Sequence, residues 1–231
     1  MSIRIWKTVM GEIAEKTRRS RGRPPIRSDE ETRHLILEAA SLEFRANGYA
    51  STTMAAVGQR AGISTKTMYR LIPTKADLFK SMCSERIGRF MLAIDEAVIG
   101  TLELEAALER ILCAYGNLAL DQEVIAITRL VTSESDRFPE LGAAFYEGAF
   151  RRTREAIEGW LRRQCDQGVI ALDDPGVAAD MLRGMMVMEP QRAVMLGQRA
   201  APDAEEIAAR ARMCANLFLT GCRLNTRPAA H

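Results

Sequence analysis

A chain of 231 residues with 47% apolar and 27% charged side chains is ordinary globular material, long enough to bury a real core. The opening "MSIRIWKTVMGEIAEK" is broken by Lys7, Glu12, Glu15 and Lys16, so it holds no apolar run of signal-peptide length, and no stretch approaches the roughly 18 apolar residues of a membrane span. A cytoplasmic protein with no membrane partner is the expectation. The formal charge of +2 hides an asymmetry: residues 1–27 hold eight Lys/Arg against two Glu, residues 28–80 seven against six, and residues 81–231 seventeen against twenty-two. A basic head on an acidic body suggests a polyanion for the head and a different task for the body.

In chain order, residues 1–28 carry Gly22, Pro24-Pro25 and no sustained apolar period, which predicts a flexible basic arm. From Asp29 the pattern changes. Leu35, Ile36, Ala39, Ala40 and Phe44 fall on one helical face, and Asn47-Gly48 is a stop signal. A second helix is expected from about Thr53 to Arg60, capped by Thr52 or Thr53, with Met54 and Val57 inward. Ala61-Gly62 breaks it. Ser64 then caps a third helix, "TKTMYRLI", which Pro73 ends, and Thr74 caps a fourth through "KADLFKSMCSERIGRFMLAIDEA". Further helices are expected at 102–119, 122–135, 138–167, 175–197 and 203–223, with no alternating strand pattern. The fold class is therefore all-α with about nine helices. The expected domains are 29–75, a three-helix helix-turn-helix for DNA binding, and 76–231, a helical body for effector binding and dimerisation.

The third helix carries the chemistry. Met68 and Ile72 can face inward with Ile63, leaving Thr65, Lys66 and Tyr69 outside. A helix entering the major groove needs small donors and acceptors on its first turn to reach base edges, and Ser64, Thr65, Lys66 and Thr67 supply them. Tyr69 offers a phenol to phosphate, and Lys75 places a cation where the flanking backbone would pass. Tyr49 and Arg70 are further candidate phosphate contacts. Upstream, "RGRP" has the make-up of an element that lies in a narrow A·T minor groove, with Arg21 and Arg23 as the inserting side chains.

The chain resembles the TetR (TetR/AcrR-like) family of bacterial regulators, on Ile36-Leu37-x-Ala39-Ala40, Phe44, Gly48-Tyr49, Thr53, Ala61-Gly62-Ile63-Ser64, Thr67-x-Tyr69 and Pro73-Thr74-Lys75. The resemblance implies a reader in which Ser64 to Thr67 touch bases while Thr53, Tyr69 and Lys75 hold phosphate. It also implies a homodimer on a pseudo-palindromic operator of double-stranded DNA, and a C-terminal effector domain. "RFPEL", "AFY" and "DDPGVAADMLRGMM" are similar to an efflux-linked subgroup. Two departures stand out: Leu71-Ile72 occupies a place where the family often has an imidazole or aromatic followed by Phe, and Gly58-Gln59 replaces a more usual Ile-Ala pair, which predicts a loosely packed second helix.

In the body, wide apolar faces and twelve methionines suit a pocket for a small apolar or amphipathic effector. Its candidate lining is Phe90, Ile94, Leu112, Tyr115, Ile127, Leu130, Phe145 and Met185. The last two helices are expected to form the homodimer seam through Val187, Val194, Leu217 and Leu219. The five scattered cysteines lack metal-ligand spacing and read as buried free thiols, with an intersubunit switch through Cys214 and Cys222 as a lesser alternative. His34 and His231 are the only histidines and neither is placed for catalysis. No enzyme activity, metal or cofactor is expected. The function that follows is a sequence-specific DNA-binding regulator, a repressor released by its effector. The alternatives are an effector-independent architectural DNA-binding protein or a helical protein-interaction scaffold.

Overall fold

The computed structural model describes residues 27–222. The arm with Arg21 and Arg23 lies outside the described residues, as does His231. Within them the chain is helical throughout, with no strand. The elements are α1 (Asp29–Ser51), α2 (Met54–Ala61), α3 (Thr65–Leu71), α4 (Lys75–Ala93), α5 (Glu96–Ile99), α6 (Leu104–Ala119), α7 (Gln122–Glu134), α8 (Pro139–Phe145), a π turn (Tyr146–Phe150), α9 (Arg151–Asp166), α10 (Pro175–Met195) and α11 (Ala204–Cys222). Tyr146, Phe150 and Arg151 keep right-handed helical dihedrals, so α8 to α9 is one helix with a π turn inside it. With the one-turn α5 set aside, these are the nine expected helices. None is long and apolar enough to cross a membrane.

Side-chain caps set the helix starts. Ser28 and Glu31 form a reciprocal capping box at α1; Thr53, Ser64 and Thr74 each accept a backbone N–H from the first turn of α2, α3 and α4. Asp121 and Asp174 do the same for α7 and α10. Each occupies donors that would otherwise be orphaned. Two glycines set the turns. Gly48, at φ 73° and ψ 176°, breaks α1; its missing Cβ would stand 2.9 Å from Glu134 Oε1, and that carboxylate accepts the N–H groups of Tyr49 and Ala50, both at 3.1 Å. Gly62, at φ 67°, ends α2 in the left-handed conformation and turns the chain into α3.

Two cores result, and α4 runs through both. The first gathers Ile36, Phe44, Tyr49, Val57, Met68, Ile72 and Phe79, closed by Ile127, Val131, Leu141 and Ala144 of the body. The second gathers Ile87 and Phe90 of α4 with residues of α6, α9, α10 and α11, among them Leu112, Trp160, Met186 and Ala215. Leu71 is buried with Ile72 in the first core. Gly58 corrects the expectation of a loose second helix: it is buried, and a Cβ there would stand 3.3 Å from the Ile63 carbonyl oxygen, so the missing side chain brings α2 close to the turn. The seam residues also need correction. Val187 and Leu219 are buried inside the protomer, whereas Leu217 is 60% exposed, together with Met181, Met188 and Met213. Val194 is half-buried. Cys83, Cys113, Cys165 and Cys214 are free thiols. Cys214 is buried, and burial raises its pKa, which argues against the thiol switch.

Candidate functional site

The first site is the α2–turn–α3 unit. Met68 is fully buried and anchors α3, while Thr65, Lys66 and Tyr69 are exposed, as the outer face of a groove-entering helix requires. Ser64 Oγ accepts the Thr67 N–H at 3.2 Å and shares a hydrogen bond with the Thr67 hydroxyl at 2.9 Å. Ser64 and Thr67 are thereby fixed to each other, and Thr65 and Lys66 are the side chains that reach outward. Thr53 is exposed at the start of α2, where its hydroxyl oxygen accepts the Ala56 N–H at 3.1 Å.

Three expected phosphate contacts are engaged elsewhere in this structure. Tyr49 is 1% exposed, stacked on Phe44 and edge-on to Phe79 and Phe138; burial pushes its phenol up to about 12. It is a core residue. Lys75 Nζ donates to the carbonyls of Tyr49 at 2.7 Å and Thr52 at 3.0 Å and lies 4.3 Å from the centroid of the Tyr49 ring. It thus satisfies orphaned carbonyls at the end of α1, and desolvation lowers its pKa. Arg70 forms a fork with the two Asp29 oxygens at 2.8 and 2.7 Å, tying α3 to the start of α1. These partners lie 23 to 41 residues away in sequence, beyond what a local pattern can show.

The second site is a cavity of about 410 Å³ in the body, walled by α4, α6, α7, α8, the π turn, α9 and α10. Of the expected lining, Tyr115, Ile127 and Phe145 line it. Phe90 and Leu112 are packed in the second core, with Ile94 and Met185 against it, and Leu130 packs against the first; those five are corrected to packing residues. Apolar periodicity marks the buried face of a helix but not the part of that face that meets a void. The wall also includes Cys83, Arg86, Ile87, Thr128, Phe150, Thr153, Arg154, Asp180, Arg183, Val187 and Gln191. Arg183 had a sequence signal: it stands four residues from both Ala179 and Val187 on an otherwise apolar stripe of α10.

The π turn shapes this cavity. It presents Gly148 to α4, where a Cβ would stand 3.3 Å from the Lys80 carbonyl oxygen, and it carries Tyr146, Ala149 and Phe150 to the wall. Thr153 Oγ1 donates to the carbonyls of Ala149 at 3.1 Å and Phe150 at 3.0 Å, which serves backbone groups that a widened turn leaves poorly paired. Burial pushes the Cys83 thiol up to about 12, so this wall residue is no nucleophile. A larger groove of about 710 Å³ lies between α1, α4 and α7, where Leu37, Leu42 and Met82 are interleaved with His34, Glu38, Arg45, Glu85, Arg86, Arg89 and Glu123. Chemistry rather than size distinguishes the two: an apolar wall with a few convergent polar groups is what a small-molecule site needs.

A short helix presented outward on a helix-turn-helix, mounted on a helical body with its own cavity, defines a DNA-binding transcriptional regulator. The comparisons identify which kind. Residues 36–82 match the model of bacterial regulatory proteins of the tetR family, and residues 106–221 match the AefR-like transcriptional repressor C-terminal domain. The chain belongs to the TetR family, whose regulators bind DNA and are not enzymes. An uncharacterized HTH-type transcriptional regulator, YhgD, of Bacillus subtilis (strain 168) is 24% identical over 135 residues, covering 58% of this chain and 68% of that protein. Among solved structures, the flavonoid-responsive regulator FrrA superposes with TM-score 0.67 at 24% identity, covering 87% of this chain and 100% of that one. The transcriptional regulator FadR of Bacillus subtilis in complex with stearoyl-CoA gives 0.64 at 21%, covering 81% and 98%. A SmeT–triclosan complex gives 0.58 at 21%, covering 84% and 93%. At these identities the likeness is one of fold.

Proposed function

We propose that the protein is a homodimeric repressor whose two α3 helices enter successive major grooves of a pseudo-palindromic operator, and that a small amphipathic molecule in the α4–α10 cavity releases it. Thr65 and Lys66, with Ser64 and Thr67, read base edges; Thr53 and Tyr69 hold phosphate. The exposed Met181 and Met188 of α10 and Met213 and Leu217 of α11 cover one another's counterparts in a second copy, as a four-helix seam does.

The observation that carries the release is the double role of α4. Its first residue, Lys75, binds the end of α1, and its middle, at Cys83, Arg86 and Ile87, is cavity wall. A parallel link runs through Arg86, which pairs with Glu123 of α7, which in turn accepts from Arg45 of α1 at 2.9 Å. A ligand that prefers a conformer with α4 and Arg86 displaced changes the spacing of the two readers. It lowers operator affinity by its own differential affinity for that conformer.

The test is fluorescence anisotropy of a labelled duplex from the protein's own promoter, with and without compounds that raise the melting temperature. The expected result is tight binding that weakens steeply with salt and is lost when the cavity is filled. Failure of the ligand-free dimer to retain the duplex, or retention that no cavity-binding compound alters, would sink the reading.

A further inference from the structure

The cavity has an unusual anchor. Arg183 is 4% exposed, and its guanidinium carbon lies 4.1 Å from the centroid of the Phe150 ring and 5.4 Å from that of Tyr115. Its Nη1 donates to Asp180 Oδ1 at 3.3 Å, long for a charge-assisted bond, and its buried Nε has no hydrogen-bond partner. A buried cation so poorly matched is costly unless something else completes it.

The rest of the wall does not complete it. Arg86 is paired with Glu123 and Asp121, and Arg154 with Glu158 at 2.9 Å. The only wall carboxylate, Asp180, has a side chain 51% exposed and gives its other oxygen to Arg154 Nε at 3.1 Å. Arg183 is left with half of a solvent-weakened carboxylate and a hydrogen bond to the neutral Tyr115 phenol, and neither reaches its Nε. The phenol oxygen of Tyr115 accepts from the Arg183 guanidinium, and burial raises the Tyr115 pKa while Arg183 opposes the rise, so this partner adds an acceptor but no negative charge.

We infer that the cavity selects an anionic amphipathic ligand, a carboxylate on an aromatic body, with the carboxylate replacing Asp180 as the partner of Arg183 and the body lying against Phe150 and Phe145. The inference rests on the reading of this cavity as the effector site. A planar carboxylate can take Nε and an Nη together, the fork geometry that Asp180 does not achieve. Because Nε is covered in this state, docking turns the outer part of the Arg183 side chain, and the long Asp180 contact offers little resistance. A cation of the same shape offers Arg183 no acceptor and sets a second positive charge beside it; a neutral amide offers a single carbonyl acceptor and no charge.

The experiment compares three probes of one shape, 2-naphthoate, 2-naphthamide and 2-naphthylmethylammonium, by calorimetric titration into the full-length dimer at fixed salt and then by operator release. The naphthoate is expected to bind about tenfold or more tighter than the amide, as a charge-assisted pair in a dry site requires, with the ammonium weakest. Arg183→Gln should bring the naphthoate down to the level of the amide and weaken the amide far less, while Arg183→Lys, a point charge without the fork, should fall between. Equal binding of acid and amide by the wild-type protein overturns the anionic class with no variant needed, as does an acid preference that survives Arg183→Gln in a protein with unchanged helical signal. Acid-selective binding that leaves the operator complex intact overturns the effector reading and keeps the anion site. If none of the three binds, both are overturned.

Discussion

The reader and the body are built from the same kind of helix, yet they are specified in different ways. In α2 and α3, both short, caps and turns decide almost everything: Thr53, Gly62 and Ser64 fix the ends, and Met68 fixes the orientation. In the body, the helices that matter meet through surfaces far apart in the chain, as where α6 lies against α11 and α10. The cavity exists because the helices around it fail to fill their common space. Local rules therefore place a DNA-reading surface well and a ligand cavity badly.

Anchoring and reading can be separated within α3. Met68→Ala removes a fully buried side chain and should cost about 2–5 kcal/mol of stability, seen as a lower melting temperature together with lost operator binding. Thr65→Ala touches an exposed side chain and should leave stability within about 0.5 kcal/mol while weakening a matched operator by about 1–3 kcal/mol. If both variants lost binding through lower stability, the outer face of α3 would be a structural surface rather than a reading one.

In the body the corresponding probe is the helix crossing. A Cβ at Gly116 would stand 2.5 Å from Met186 Cε and 2.8 Å from Ile207 Cγ2, so α6, α10 and α11 meet there with no room for a methyl. Gly116→Ala should destabilise by about 1–3 kcal/mol, measured by denaturant unfolding. No change in the midpoint would mean that the flexible Met186 side chain absorbs the methyl and the crossing is looser than drawn.

How much was legible in the sequence follows the same division. The starts of α2, α3, α4 and α10 stand at or beside the residues that chemistry marks as caps, and the apolar spacing of Ile36, Ala39, Ala40 and Phe44 names the buried face of α1. Lys75, Arg70 and Tyr49 have intraprotein partners that no local pattern shows, because tertiary structure supplies them. An exposed cation near a helix start reads as a phosphate ligand until the carbonyls of Tyr49 and Thr52 are brought under it. The cavity wall was missed for the most part because the π turn that carries Phe150 over Arg183 has no local signature in "YEGAF". Only Arg183, a charge on an apolar stripe, advertised a special environment.

Lys75 gives a direct test of that reassignment. Lys75→Met leaves the carbonyls of Tyr49 and Thr52 without their donor and should cost about 1–3 kcal/mol, with the salt dependence of operator binding unchanged. A variant of unchanged stability but with a salt slope smaller by about one would restore Lys75 as a phosphate ligand. Tyr49→Phe is the milder counterpart: Tyr49 is buried among Phe44, Phe79 and Phe138, so operator affinity and slope should both hold, whereas Tyr69→Phe, at a 50% exposed residue, should weaken binding. Equal losses for the two tyrosines would show that Tyr49 leaves its core on DNA binding.

The smallest effect is expected where the two regions touch through titratable groups. His34 of α1 lies 2.6 Å from Glu85 of α4 and 3.3 Å from Glu38, and these carboxylates raise its pKa above the ordinary 6.5, the Glu85 hydrogen bond most of all. A folded-state pKa above the unfolded value means that the native protein binds the proton more tightly. The stabilisation is therefore complete below the unfolded value and is lost as pH rises through the folded one. Because the pair is open to solvent, the effect is small and screened by salt. The difference in melting temperature between the wild-type protein and His34→Gln should be greatest near about pH 5.5 and shrink towards about pH 8.5, and added salt should flatten it. A difference that instead grows with pH would mean that neutral His34 serves α1 better than the charged form, and that the α1–α4 contact is held by its apolar residues alone.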